Sequence, residues 1–205
     1  MELVKFFQTG GPFMYPILLV LAIGMAIAIE RFMYITKTQN STNKVWGQLI
    51  PMLKAQDLAR ATQLTEAAKT PLAIMLNYGF ARKNANAARD GIESAMEEGM
   101  MEVMPELEQR THYLATFANI ATLLGLLGTI IGLIQAFTAV AGADPAEKAD
   151  LLSASISVAM NTTAFGLIAA IPLILIHSYL VTKTARLVDN IEMAAVKCLN
   201  LITND

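Results

Sequence analysis

Residues 115–141 read ATFANIATLLGLLGTIIGLIQAFTAVA, and this stretch decides the fold class. It holds no charged side chain, and it is longer than the roughly 20 apolar residues that a helix needs to cross a bilayer. Its surroundings are therefore lipid or other helices. Gly125, Gly128 and Gly132 interrupt the apolar residues, and glycine in a membrane helix lets a second backbone approach closely.

Small and hydroxyl-bearing residues recur along this helix with a 3-4-3-4 spacing. They are Thr122, Gly125, Thr129, Gly132 and Ala136. The spacing predicts that all five lie along one face of the helix. Such a face packs against a partner helix or lines a narrow polar path.

The composition indicates an integral membrane protein. Hydrophobic residues make up 55% of the chain and charged residues 16%, against about 25% charged in ordinary soluble domains. The net charge of -2 comes without any basic run, so nucleic-acid binding is not expected. The lone Cys198 excludes an intramolecular disulfide, and no HExxH or CxxC spacing occurs, so neither a metal site nor a cofactor is predicted.

The charge pattern predicts an all-α protein with three membrane helices, the last two extending beyond the bilayer. The first apolar run lacks an adjacent basic leader and a cleavage site, which favours a retained helix over a signal peptide. The predicted segments are 1–12 (periplasmic or interfacial), 13–35 (first span), 36–112 (cytoplasmic helical domain), 113–141 (second span), 142–150 (periplasmic loop), 151–182 (third span) and 183–205 (cytoplasmic helix).

The segment between the first two spans is predicted to form short helices. One helix is expected near residues 57–69, with Pro51 and Pro71 marking breaks. From about Ala87 a helical pattern continues into the glycine-containing span, and Pro105 is expected to bend this helix without ending it.

Basic residues predict the orientation of the spans. Nine of the 15 Lys and Arg residues lie between residues 36 and 112, and three more follow the third span. Because Lys and Arg concentrate on the cytoplasmic side, the N-terminus is expected in the periplasm and the C-terminus in the cytoplasm.

The third span repeats the pattern of small and polar residues. Ser155, Ala159, Thr162, Gly166 and Ala169 follow a 4-3-4-3 spacing. Thr163 lies beside this face, and Asn161 is nearby. One interpretation is that the hydroxyls bond back to their own helix or join helices together; the other is that two such faces line a shared ion pathway.

No acidic residue falls between Tyr113 and Ala143 or between Leu151 and Thr182. A proton transporter normally needs a titratable group inside the membrane. If this chain conducts protons, another subunit must supply the carboxylate.

Three features together resemble the TolQ/ExbB/MotA family of inner-membrane motor subunits. They are LLGLLGTIIGLIQAF at 123–137, TTAFGLIAAIP at 162–172, and the Glu30-Arg31 pair that ends the first span. The resemblance covers nearly the whole chain. It implies a homo-pentamer around a dimer of single-span subunits of the ExbD/TolR/MotB type, whose intramembrane aspartate carries the ion.

The resemblance also implies roles for individual residues. Thr129 and Thr163 match the family's pore-facing threonines, and Thr162, Asn161 and Thr122 are further candidates for the ion pathway. Five residues are expected to serve helix packing or helix shape: Gly125, Gly128, Gly132, Gly166 and Pro172.

Two positions depart from the family pattern. Val158 stands where the ExbB and TolQ branches usually place a glutamate, and Thr122 stands where many members have proline. The paired Thr162 and Thr163 also resemble the sodium-driven stators, because hydroxyl oxygens suit a hard cation. Proton and sodium therefore both stay open as the transported ion.

The sequence thus predicts an ion-channel and motor subunit that couples ion flow to mechanical work on a cell-envelope partner. The alternative is a passive scaffold, in which the glycine faces only oligomerise. An enzyme is not predicted, because no nucleophile-base pair is recognisable.

Overall fold

The computed structural model describes residues 10–203 of this 205-residue chain, and the regular structure in that range is helical. The fold class predicted from the sequence, all-α with three membrane helices, is confirmed. Most of the predicted segment 1–12 lies outside the described residues. The helices are α1 Met14–Lys54, α2 Leu58–Ala67, α3 Pro71–Asn84, α4 Arg89–Glu108, α5 Thr111–Ala141 and α6 Lys148–Thr203.

Three helical stretches are long and apolar enough to cross a membrane. They are Met14–Lys54, Arg89–Ala141 and Lys148–Thr203, and between 22% and 28% of the most apolar window of each is buried within the chain. Most of each apolar surface is therefore left for lipid or for other subunits.

The chain divides into two compact units. The apolar unit contains residues 10–30 and 110–179, and the charged unit contains residues 31–109 and 180–203. Each unit draws on α1 and α6, because both helices continue past the division.

In the apolar unit, each of the three helices buries one narrow face. α1 buries Met14, Ile17 and Ala28 at helical spacing. A Cβ added to Gly24 of this helix would lie 2.8 Å from Cδ2 of Leu173 on α6. The small residue therefore makes room for a leucine of the neighbouring helix.

In the charged unit, α3 packs against both α2 and α4. Its Leu72, Leu76 and Phe80 are fully buried. α4 approaches α3 closely at Gly99, where an added Cβ would lie 2.8 Å from the Cα of Met75. Apolar burial and this close contact hold the three short helices together.

The helix ends have local causes. Asp57 caps α2, because its Oδ1 accepts the Arg60 amide at 3.1 Å. Thr70 caps α3, because its Oγ1 accepts the Ala73 amide at 3.2 Å, and Pro71 takes the first helical position.

Two predicted features of the middle segment were wrong. Pro51 does not break the first helix, which continues to Lys54. The pattern from Ala87 onward does not form one helix, because α4 ends at Glu108 and α5 begins at Thr111. Arg110 at this junction has a left-handed φ of 61°, and a single left-handed residue stops a right-handed helix. Pro105 lies inside α4, as expected.

Candidate functional site

α5 and α6 come into backbone contact at Gly125 and Gly166. A Cβ added to Gly166 would lie 2.8 Å from the carbonyl oxygen of Ala121 and 3.0 Å from the Cα of Gly125. Both atoms belong to the backbone and cannot turn away as a flexible side chain would. This position therefore requires glycine, and the contact sets the spacing of the two helices.

The other predicted packing glycines lie along the same contact. An added Cβ on Gly132 would lie 2.7 Å from the Cβ of Ala159, and one on Gly128 would overlap the methyl group of Thr162. Together with Gly125 and Gly166, these glycines form what we call the glycine seam. Pro172 is exposed and lies inside the unbroken α6.

The hydroxyl of Thr163 joins the two helices across the glycine seam. Its Oγ1 donates to the carbonyl oxygen of Gly125 at 2.8 Å. The side chain is half-buried. The short distance between the helices at the seam lets a threonine of α6 reach a carbonyl of α5.

Thr129 and Thr122 bond to their own helix. Oγ1 of Thr129 donates to the Leu126 carbonyl at 2.6 Å, and Oγ1 of Thr122 donates to the Ala118 carbonyl at 3.1 Å. Thr129 is half-buried, whereas Thr122 is exposed.

The predicted face of α5 overlaps the face that packs on α6. The buried residues of α5 include Ala118, Ala121, Gly125, Gly128 and Ala136, and Gly132 also contacts Ala159. Of the predicted face, Thr129 is half-buried and Thr122 is exposed at its edge. α5 is apolar around most of its circumference, so the sequence pattern alone could not specify the exact edges of the packed face.

The predicted face of α6 is the buried one. Ala159, Thr162 and Ala169 are 1%, 2% and 0% exposed. The Thr162 hydroxyl lies 2.5 Å from the Gly10 carbonyl oxygen and 3.0 Å from that of Val158, and both are acceptors for its proton. Thr162 thus ties α6 to the turn before α1, while Asn161 beside it is half-buried.

The arrangement determines what these hydroxyls can do. A threonine hydroxyl has one proton and two acceptor lone pairs. Because Thr129 and Thr163 each give the proton to a backbone carbonyl, their oxygens are left as acceptors. They can therefore receive a hydrogen bond from a protonated acid or contribute oxygens to a cation.

Sequence reasoning missed the structural roles of the Glu30-Arg31 pair. In the apolar unit, the Glu30 carboxylate accepts from Arg110 at 3.0 Å. In the charged unit, the buried Arg31 guanidinium donates to the carbonyl oxygens of Glu106, at 3.4 Å, and Leu107. The pair stood out at the end of an apolar run, but the sequence does not show that Glu30 meets the distant Arg110 or that Arg31 meets backbone carbonyls.

Lys183, just after the third apolar stretch, is held by two residues of α1. Its Nζ donates to Oγ1 of Thr36 at 2.6 Å and lies 4.4 Å from the centre of the Phe32 ring. A lysine with an aromatic neighbour is typical of the boundary between membrane and water.

Comparison with known proteins agrees with this architecture. The sequence model of the MotA/TolQ/ExbB proton channel family matches residues 67–193. A biopolymer transport protein ExbB homolog from Methanothermobacter thermautotrophicus is 28% identical over 93% of this chain and 67% of its own length.

Two further relatives match over different lengths. An ExbB-like 3 biopolymer transport protein from Synechocystis is 26% identical over 82% of this chain and 80% of its own length. The Tol-Pal system protein TolQ of Haemophilus influenzae is 37% identical over 44% of this chain and 39% of its own length.

Proposed function

This chain belongs to the MotA/TolQ/ExbB proton channel family, and on that basis we propose that it is the channel-forming subunit of an ion-driven motor. The motor couples proton flow across the bacterial inner membrane to mechanical work on a partner in the cell envelope. The relatives that match most of the chain bear names of biopolymer transport proteins of the ExbB type. This favours the ExbB/TolQ branch over the flagellar stators.

One observation carries the proposal: the uncharged stretches of α5 and α6 offer hydroxyl acceptors without an acid. Thr129 and Thr163 keep acceptor oxygens beside the glycine seam, whereas no acidic residue occurs from Tyr113 to Ala143. An acid from a second polypeptide would complete the pathway. We infer that a single-span subunit of the ExbD/TolR/MotB type supplies an aspartate that shuttles the proton past these two threonines.

The exposed apolar surface supports assembly of several copies. Large side chains on α5 and α6 stay exposed in the single chain, among them Leu123, Phe137 and Leu175 at 62%, 64% and 65%. We propose that five copies surround the partner, with lipid covering the outside. The N-terminus would then lie in the periplasm and the C-terminus in the cytoplasm, in keeping with the distribution of Lys and Arg.

Sodium is the second candidate ion. A hard cation needs several oxygen ligands. The adjacent Thr162 and Thr163 were the residues expected to supply them. However, Thr162 is 2% exposed and lies against the Gly10 carbonyl, which leaves fewer free oxygens. This supports protons as the transported ion.

The test is proton flux through liposomes that contain this protein and its single-span partner. Thr129→Val and Thr163→Val keep the side-chain volume but remove the acceptor oxygen, so both should abolish flux while the complex still assembles. Thr138→Val is the matched control, because the exposed Thr138 also bonds to its own helix, at the Ile134 carbonyl. Normal flux in both variants would reject the proposed pathway and show that these hydroxyls are only structural. Absence of flux from the unchanged protein with its partner would instead favour the passive scaffold.

A further inference from the structure

A small polar pocket lies in the charged unit, apart from the proposed ion pathway. Its volume is about 130 Å³, far more than the roughly 15 Å³ that one water requires. α1 contributes Thr42, Asn43 and Trp46 to the lining, and α6 contributes Asn190 and Lys197. The remaining lining residues are apolar.

Thr42 is the most buried of the polar residues that line this pocket. The residue is 3% exposed, and its Oγ1 has no hydrogen-bond partner among residues 10–203. A buried hydroxyl without a hydrogen-bond partner destabilises the folded protein. A ligand in the pocket that accepts a hydrogen bond from Thr42 would satisfy this hydroxyl.

The other polar groups around the pocket are rich in donors. Trp46 offers an indole N–H and no acceptor, Lys197 offers an ammonium group, and Asn43 and Asn190 each offer an amide NH₂. No carboxylate lines the pocket. One positive charge with several neutral donors and no negative charge fits an anion with several oxygens.

We propose that this pocket binds a phosphate-type oxyanion. Lys197 supplies the opposite charge, Thr42 and Trp46 donate hydrogen bonds from α1, and the two amides complete the set of donors. The bound anion would join α1 to α6 within the charged unit. This site does not depend on the proposed ion transport.

The position along the helices bears on the source of the anion. We place the membrane boundary at the level of Lys183 and Thr36, because Lys183 directly follows the third apolar stretch. Asn190 and Asn43 each lie seven residues further along the same helices. At 1.5 Å per residue this is about 10 Å, which exceeds the roughly 5–7 Å depth of one headgroup layer. A dissolved phosphate group therefore fits better than a lipid headgroup, and both sources can be tested.

Trp46 is the chain's single tryptophan, so its fluorescence reports on the pocket directly. The full-length protein in detergent would be titrated with inorganic phosphate, with chloride at equal ionic strength as the reference. We expect a saturable change in Trp46 emission with phosphate and none with chloride.

Two variants and one control give the test its specificity. Lys197→Met should weaken the apparent affinity at least about tenfold, and Thr42→Val about fivefold, as loss of a charged and a neutral hydrogen bond implies. Lys44→Met removes a neighbouring lysine that is exposed and does not line the pocket. It should bind phosphate as the unchanged protein does.

A second arm distinguishes the lipid source. The protein would be placed in phosphate-free nanodiscs of phosphatidylcholine or phosphatidylglycerol. A change in Trp46 emission that needs phosphatidylglycerol and Lys197, without a response to dissolved phosphate, would identify a lipid headgroup as the anion. The proposal is overturned if neither arm changes the emission, or if Lys197→Met responds as strongly as the unchanged protein.

Discussion

Arg31 is a charged residue whose importance comes from burial rather than from ion transport. It is 2% exposed, and its guanidinium donates to carbonyl oxygens in the last turn of α4. A cation at the C-terminal end of a helix also meets the negative end of the helix dipole. Arg31 therefore stabilises the junction at which α4 ends.

Arg31→Met is expected to destabilise the protein. The change keeps a long apolar stem but removes the donors, and hydrogen bonds from charged groups contribute about 1.5–3 kcal/mol. We expect the free energy of unfolding to fall by about 2 kcal/mol, measured by circular dichroism during denaturant titration in detergent. Lys37→Met, at an exposed position of the same helix, is the control. Equal stability of the two variants would contradict the role assigned to Arg31.

Cys198 is expected to be unreactive while the charged unit is folded. Burial raises the pKa of its thiol from 9.0 to about 12, so the reactive thiolate is scarce at neutral pH. Because the folded pKa lies above the unfolded one, this group lowers stability as pH rises above about 9.

The measurement for Cys198 is maleimide labelling at pH 7.5, before and after unfolding in dodecyl sulfate. Labelling should be slow in the folded protein and fast in the unfolded one. Rapid labelling of the folded protein would show that the thiol is accessible.

The roles of the threonines show what the sequence cannot specify at this scale. Their spacing predicted that Thr129, Thr162 and Thr163 would matter together, but the carbonyl that each hydroxyl contacts depends on the distance between helices. Thr162 turns toward Gly10, which is 152 positions earlier in the chain. No local pattern could have indicated that contact.

At the scale of helices, the glycine seam is the feature that specifies how α5 and α6 pack. Gly166→Ala would place a methyl group against the Ala121 carbonyl and the Gly125 backbone. Overpacking of this kind costs about 1–3 kcal/mol. We therefore expect weaker packing of α5 on α6, seen as a lower midpoint in a dodecyl sulfate unfolding titration.

Gly47→Ala is the matched control for the glycine seam. Gly47 lies inside α1, and nothing lies within 4 Å of an added Cβ. Alanine is the better helix former by about 1 kcal/mol, so this variant should be as stable as the unchanged protein or more so. If both glycine variants shifted the midpoint equally, the seam would not explain the effect.

Much of the helix arrangement could be predicted, because its causes are local. The long uncharged runs predicted the three spans. The helix predicted from Asp57 and the break predicted at Pro71 are both confirmed, since one helix ends at Ala67 and the next begins at Pro71. The break at Arg110 could not be predicted, because this residue type has no preference for a left-handed φ. The exposure of Thr122 has a similar explanation, since contact with α6 decided which part of the predicted face of α5 is buried.

At the scale of the whole molecule, the dependence of flux on sodium shows which of the two candidate ions is transported. If protons are transported, flux through liposomes containing the protein and its partner should not change when sodium is replaced by potassium at a fixed pH gradient. A pH-sensitive dye inside the liposomes reports the flux. Flux that requires sodium would instead favour the sodium-driven alternative.

The central claim is that this chain supplies the hydroxyl acceptors while a second polypeptide supplies the acid. The most direct measurement compares proton flux in liposomes that contain this protein alone with flux in liposomes that also contain its single-span partner. The account predicts no flux from the protein alone and clear flux with the partner, lost again when the partner's intramembrane aspartate is changed to asparagine. Flux from the protein alone, or flux that survives the aspartate change, would contradict it.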